Sequence, residues 1–157
     1  MDKTLSETSN QIPVECRVAL LEGDILLRYW DAIWADLKKV PHIWSRHYTP
    51  EAIETAVFAG QMQVWAAGTL GAFNCIVFTE VRVYPAGRIL QGVFMFGNNA
   101  EACLPTLVAT FQKFAMLHNC KELEVWGREG WGKALAEFGF KRYQSVFVAP
   151  VPNMQVQ

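Results

Sequence analysis

The chain is short of charge, has no basic surplus and carries no paired metal-ligand spacing, and each deficit removes a class of function. Charged residues make up 18% of its 157 residues, with 14 Lys plus Arg against 15 Asp plus Glu. Proteins that hold nucleic acid by neutralising phosphates normally show a basic excess, so no nucleic-acid partner is expected. The four cysteines (Cys16, Cys75, Cys103, Cys120) include no CxxC, and the three histidines (His42, His47, His118) form no HxH or HExxH. A zinc site and a disulfide scaffold are therefore not expected, no metal is assigned, and a reducing compartment fits. Met1 to Glu15 is polar and has no apolar stretch of the kind a secretory signal needs. Disorder is excluded from the other side, because 52% of the residues are hydrophobic and 13% aromatic.

The window from Thr55 to Thr79 holds no charge and is long enough to cross a bilayer, yet Gly60, Gln61, Gln63, Gly68, Gly71 and Asn74 interrupt it. It reads as a helix end followed by two buried strands, so no membrane is expected. Residues 1–12 read as a flexible or partner-bound arm, 13–150 as one domain and 151–157 as a tail. A short strand is predicted over Val14 to Leu21. A helix capped by Asp24 follows, with Leu26, Tyr29 or Trp30, Ile33, Leu37 and Val40 as its apolar stripe, and Pro41 stops it. Thr49, Pro50 and Glu51 open a second helix that Gly60 ends. His42 to Tyr48, between them, is either a ligand wall or an ordinary connection with Trp44 packed inward.

Met62 to Ala67, Phe73 to Tyr84 and Arg88 to Phe96 then form an antiparallel meander, turning at Thr69-Leu70-Gly71 and Pro85-Ala86-Gly87. Leu104, Leu107, Val108, Phe111 and Ala115 return to helical spacing, and Pro105 limits how early that helix begins. Leu123 and Val125 mark a strand, Trp131 to Phe138 a helix ended by Gly139, and Arg142 to Val148 a last strand. The fold class is α+β: a mixed, mostly antiparallel central sheet with helices on both faces.

This order resembles the GNAT superfamily of N-acetyltransferases, from about Val14 to Val148. The words that carry the resemblance are Glu122-Leu-Glu-Val-Trp-Gly-Arg128 and Ala134-Leu-Ala-Glu-Phe-Gly-Phe-Lys141. The wording GREGWGKALAEFGFK is similar to that of short GNAT-like proteins of tailed bacteriophages and prophages. The resemblance implies two adjacent parallel strands that splay apart, with acetyl-CoA in the gap and its pyrophosphate at the following helix N-terminus. On this chain the cofactor-binding residues would be Phe94, Phe96, Gly97, Asn98 and Asn99, and the catalytic base Glu80. Departures from the family pattern imply a degenerate acetyl-CoA site. The small-residue phosphate loop is replaced by Gly97-Asn98-Asn99, Glu101 stands near the helix start, Leu135 takes the place of a general-acid Tyr, and Arg128 that of an Asn.

Each candidate has a plainer reading. Glu80 is equally a surface charge paired with Arg82 or Arg88. Trp65, Phe94, Phe96, Trp126 and Trp131 are either cleft or core, and Cys75 and Cys103 read as inert buried thiols. Three functions compete. One is a phage GNAT-like interaction module with little or no catalysis, partnered by virion proteins or by itself, in the host cytoplasm or virion. The second is an active acetyl-CoA-dependent N-acetyltransferase. The third is an inhibitor that binds a host protein.

Overall fold

The computed structural model describes residues 15–39, 47–69, 72–127 and 130–153. The arm of residues 1–12, Trp44, the Leu70-Gly71 turn, Arg128 and the last four residues lie outside them. Two compact units result, residues 1–126 and 127–157. The first holds β1 (Cys16–Leu21), α1 (Gly23–Lys38), α2 (Pro50–Phe58), β2 (Met62–Thr69), β3 (Ala72–Tyr84), β4 (Gly87–Gly97), α3 (Ala100–Leu117) and β5 (Cys120–Val125). The strands lie in the order β1-β2-β3-β4-β5. The first three pairings are antiparallel, and β4 with β5 is parallel. The expected fold class is observed, and no helix among the described residues is long and apolar enough to cross a membrane.

The two faces of the sheet carry different cores. Leu26, Trp30, Ile33 and Leu37 of α1 and Ile53 and Val57 of α2 are buried. They share one cluster with Val64, Ala66, Phe78, Val93 and Phe94. Trp30 donates its indole N–H to Glu54 at 2.7 Å, so the aromatic that fills this layer also joins α1 to α2. On the opposite face Cys103 and Leu107 of α3 meet Trp65, Ala67, Cys75 and Val77. The Trp65 ring stands edge-on to Phe111 and Phe114, both at 5.2 Å. Its indole donates to Thr79 Oγ1 at 2.8 Å, which donates to Gln63 at 2.9 Å, so these buried polar groups are satisfied.

The local signals act largely as read. Thr49 accepts the Ala52 amide at 3.2 Å, Pro50 opens α2, and Gly60 beyond its end has φ +74°. Other expectations are corrected. Asp24 is not the cap of α1: the helix starts at Gly23, with Glu22 in the cap position and Asp24 in the first turn. Pro105 does not delay α3, which begins at Ala100 and runs through it. Cys103 and Leu104 are buried and hold that first stretch down before the proline is reached.

Cys103 is not a free thiol. It forms a disulfide with Cys16, tying α3 to the outer strand β1 across a sequence separation of 87. The expectation that Cys103 is an unpaired thiol fails here. Sequence spacing cannot see that β1 and the start of α3 share a face. Cys75 is a free buried thiol, as read, and burial pushes its pKa up to about 11.

The second unit holds α4 (Gly130–Ala136), followed by Gly139 at φ +84°. Leu135 lies near its end, and its carbonyl accepts the amides of Phe138 and Phe140 at 3.0 and 3.3 Å. The strand expected over Arg142 to Val148 is not formed. Residues 141–153 are neither helix nor strand, and Tyr143 and Phe147 are 96% and 94% exposed. Alternation supplies a strand's two faces, but only a neighbouring backbone supplies its ladder.

Candidate functional site

The candidate site lies where the pairing of β4 with β5 ends. The parallel register runs from Arg88 opposite Cys120 to Gly92 opposite Val125, and closes with the Trp126 amide on the Gly92 carbonyl at 3.2 Å. Immediately beyond, β4 carries a bulge. Thr79 faces Gly92 and Phe78 faces Phe94, so Val93 is the extra residue. A bulge bends its strand and increases the local twist. From Val93 to Gly97, β4 pairs with β3 alone among the described residues, and that edge of its backbone is left without a strand.

Phe94 and Phe96, past the bulge, join the core on the α1 and α2 face, and both rings meet Phe78, at 6.4 and 6.1 Å. Gly97 ends the strand with φ +124°, and a Cβ there would stand 2.1 Å from the Asn74 carbonyl oxygen, so only glycine fits. Asn74 is itself the extra residue of a bulge on β3, between partners of Ala67 and Gly68. Its carbonyl accepts the Asn98 amide at 2.7 Å. Asn99 adopts the left-handed conformation, φ 56° and ψ 32°, and caps α3, its carbonyl accepting the Ala102 amide at 3.2 Å. Asn98 and Asn99 are thus the whole connection from β4 to α3, and Glu101 occupies the first turn of that helix.

Glu80 lies on the same face as Phe94, farther back, opposite Gln91. Its carboxylate pairs with Arg82 at 3.3 Å and accepts the Tyr48 hydroxyl at 3.1 Å. Of the two cations proposed to neutralise it, the partner is Arg82. Tyr48 binds these parts together: its ring stands edge-on to Phe94 at 5.2 Å, and its hydroxyl also accepts from Arg82. Burial raises the pKa of that hydroxyl, and the Glu80 charge raises it further, while Arg82 opposes both. Arg82 also donates through Nε to Gln91 Oε1 at 3.2 Å, and Gln91 Nε2 donates to Glu124 Oε1 at 3.2 Å. The Trp126 indole donates to the same Glu124 oxygen. Three strands thereby contribute to one polar row beside the parting point.

Tyr48, Arg82, Gln91 and Glu124 were not singled out as site residues from sequence. One signal was present: Gln91 is a lone amide inside the apolar run of β4, and it is 1% exposed. A buried amide demands partners on both of its ends. Among the five aromatics considered for a cleft, Trp65 and Phe94 are core and Trp126 is 48% exposed. The groups of His, Cys, Asp and Glu among the described residues offer no metal site.

No family model matches the chain, and no curated protein matches it in sequence. Solved structures do match in fold. A predicted acetyltransferase from Clostridium acetobutylicum, solved with acetyl-CoA, superposes with a TM-score of 0.64 at 6% identity, over 87% of this chain and 96% of that one. The aminoglycoside N-acetyltransferase AAC(6')-Iy, in complex with a CoA bisubstrate analogue, gives 0.63 at 14% identity, over 88% and 99%. A ribosomal-protein-alanine N-acetyltransferase from Brucella melitensis biovar Abortus 2308 gives 0.59 at 12% identity, over 89% and 99%. The chain has the fold of the GNAT acetyltransferases.

Proposed function

We propose that this protein keeps the acetyltransferase fold with a degenerate acetyl-CoA site and little or no catalysis, and serves as an interaction module in a tailed-phage particle or its assembly. The observation that carries the reading is the connection from β4 to α3. A pyrophosphate is held where several backbone N–H groups converge. Here the connection is only Asn98 and Asn99, and the Asn98 amide is committed to Asn74. Glu101 brings a carboxylate to the turn where the phosphates would lie. Like charges a few ångströms apart cost about 4 kcal/mol at an effective dielectric of 20. Glu80 is also engaged already, by an ion pair with Arg82 and a hydrogen bond from the Tyr48 hydroxyl. The surface suits a partner: Tyr29, Phe58, Phe73 and Trp126 are each 40% exposed or more, and aromatics are enriched at interfaces. The phage setting rests on the wording of the α4 region, and the partners proposed are virion proteins or a second copy of the chain.

The second reading, an active acetyl-CoA-dependent N-acetyltransferase, draws on the unpaired edge of β4 from Val93 to Gly97, which leaves backbone groups for an extended ligand. Thermal unfolding with millimolar acetyl-CoA separates the two. A ligand at a hundred times its Kd stabilises by about 2.7 kcal/mol, a rise of roughly 5–10 °C for a chain this size. The expected result is no shift; a saturable rise would overturn the degenerate-site reading. Mass spectrometry of purified particles tests the virion role, which fails if the chain is absent from them.

A further inference from the structure

We infer that the bond between Cys16 and Cys103 is a redox-sensitive latch on the first turn of α3, and that its reduction by a dithiol unwinds Ala100 to Cys103 and lengthens the connection from β4. The two ends of the bond are held unequally. Cys16 lies on β1, which pairs with β2 along its whole length, from Cys16 opposite Thr69 to Leu21 opposite Val64. That end keeps its ladder with or without the bond. Cys103 precedes Pro105, in a stretch that local chemistry does not support as helix. Proline has no N–H to return to the Glu101 carbonyl, and its ring crowds the turn before it. Asn99 caps the helix in the left-handed conformation, and its side chain makes no capping hydrogen bond. Glu101 and Ala102 are exposed and Ala100 is only partly buried, so Cys103 is the one buried residue of this turn. With the bond cut, α3 has a ready alternative start. Leu104 stays buried, and Pro105 becomes the first helical position, where proline is favoured.

Exchange proceeds from one side. Cys16 is half-buried on an outer strand, whereas Cys103 is 1% exposed. A thiolate of the reductant attacks the Cys16 sulfur, the S–S bond breaks, and Cys103 leaves as a thiolate that takes a proton. The second thiol of the reductant then attacks the mixed disulfide and releases Cys16. Two electrons and two protons pass to the protein, and the dithiol is oxidised to a disulfide. Cys75 packs in the same cluster as Cys103, but burial holds it in the thiol form, so it does not compete for the bond. The β4 side is fixed throughout, because Gly97 admits no side chain and the Asn98 amide is bound to Asn74. Unwinding is therefore taken up between Asn99 and Leu104, and it carries Glu101 with it. The inference goes beyond the proposed function and holds whether or not coenzyme A binds.

The test is triple-resonance NMR of the 13C,15N-labelled full chain without denaturant, oxidised and then in excess dithiothreitol, with the state of the bond read by thiol alkylation and mass spectrometry. The expected result is that the 13Cα shifts of Ala100 to Cys103 lose their helical displacement on reduction, while those of Leu107 to Leu117 and of β3 keep theirs. C16S should show the reduced pattern with no reductant present. Pro105→Ala restores the missing N–H and should keep the turn helical after reduction. The inference is overturned by a bond that dithiothreitol leaves intact in the native protein, by helical shifts that survive reduction in the unaltered chain, by loss of dispersed shifts over the whole sheet, or by equal unwinding in P105A. Should P105A fail to fold, the oxidised and reduced forms of the unaltered chain decide alone. Because the readout involves no nucleotide, failure here leaves the coenzyme A experiment untouched.

Discussion

Breaking the link between Cys16 and Cys103 should cost a large part of the protein's stability. The bond closes a loop with a sequence separation of 87. In the chain-entropy account that removes about 4.6 kcal/mol from the freedom of the unfolded chain. Domains of this size are stable by only about 5–15 kcal/mol in total, so the bond accounts for between about a third and nearly all of it. The suitable variant is Cys16→Ser rather than Cys103→Ser. Cys16 is half-buried on an outer strand, whereas Cys103 is 1% exposed, and a serine hydroxyl there would lack a partner while a lone buried thiol packs as a small hydrophobe. Urea unfolding followed by tryptophan fluorescence reads the effect. With a slope near 2 kcal/mol per molar, the midpoint should fall by about 2 M in C16S and equally in wild type under reductant. Reductant should not move C16S further. Coincident curves for wild type and C16S, with the bond confirmed by peptide mass mapping, would refute the reasoning, and four free thiols in the native protein would remove its basis.

Two other outcomes follow from positions where space or burial is unambiguous. Gly97→Ala should destabilise by about 3 kcal/mol, because the new methyl meets backbone rather than a movable side chain and the residue must hold φ +124°; a variant within half of that value in a urea titration would contradict the geometry. Cys75 should resist iodoacetamide at pH 8 in the native protein while Cys120 reacts, since burial holds its pKa near 11 against an ordinary value of 9.0. The folded state here disfavours the thiolate. Its contribution is therefore complete below pH 9 and is lost as pH climbs through 11, so stability should decline over that interval; native labelling of Cys75 as fast as Cys120 would show the site to be open.

The sheet and its helices were legible because their signals are local. Thr49, Pro50 and Gly60 bound α2 by satisfying or terminating backbone groups within a few residues, and the alternation through β3 places Glu80 and Arg82 on one face without any knowledge of the fold. What was not legible depends on distant partners. Nothing within six residues of Cys16 announces Cys103. Tyr48 enters the polar row from a connection, where no periodicity assigns a direction. Arg142 to Val148 shows the converse error: a strand-like pattern is only half of a strand, and the other half is a backbone to pair with. Of the site itself, the sequence marked the ends of the row, Glu80 and Trp126, and missed Gln91, which connects them.

The bulge at Val93 has a consequence for how this strand can change. Gln91, Phe94 and Phe96 share a face only because one residue is counted twice between them; strict alternation would group Gln91 with Val93 and Met95. Excising the codon for Val93 would restore strict alternation with Gln91, Phe94 and Phe96 still on one face, but would remove the bend at the end of the pairing with β5. The number of residues in β4, and not only their identity, therefore sets where the strand bends.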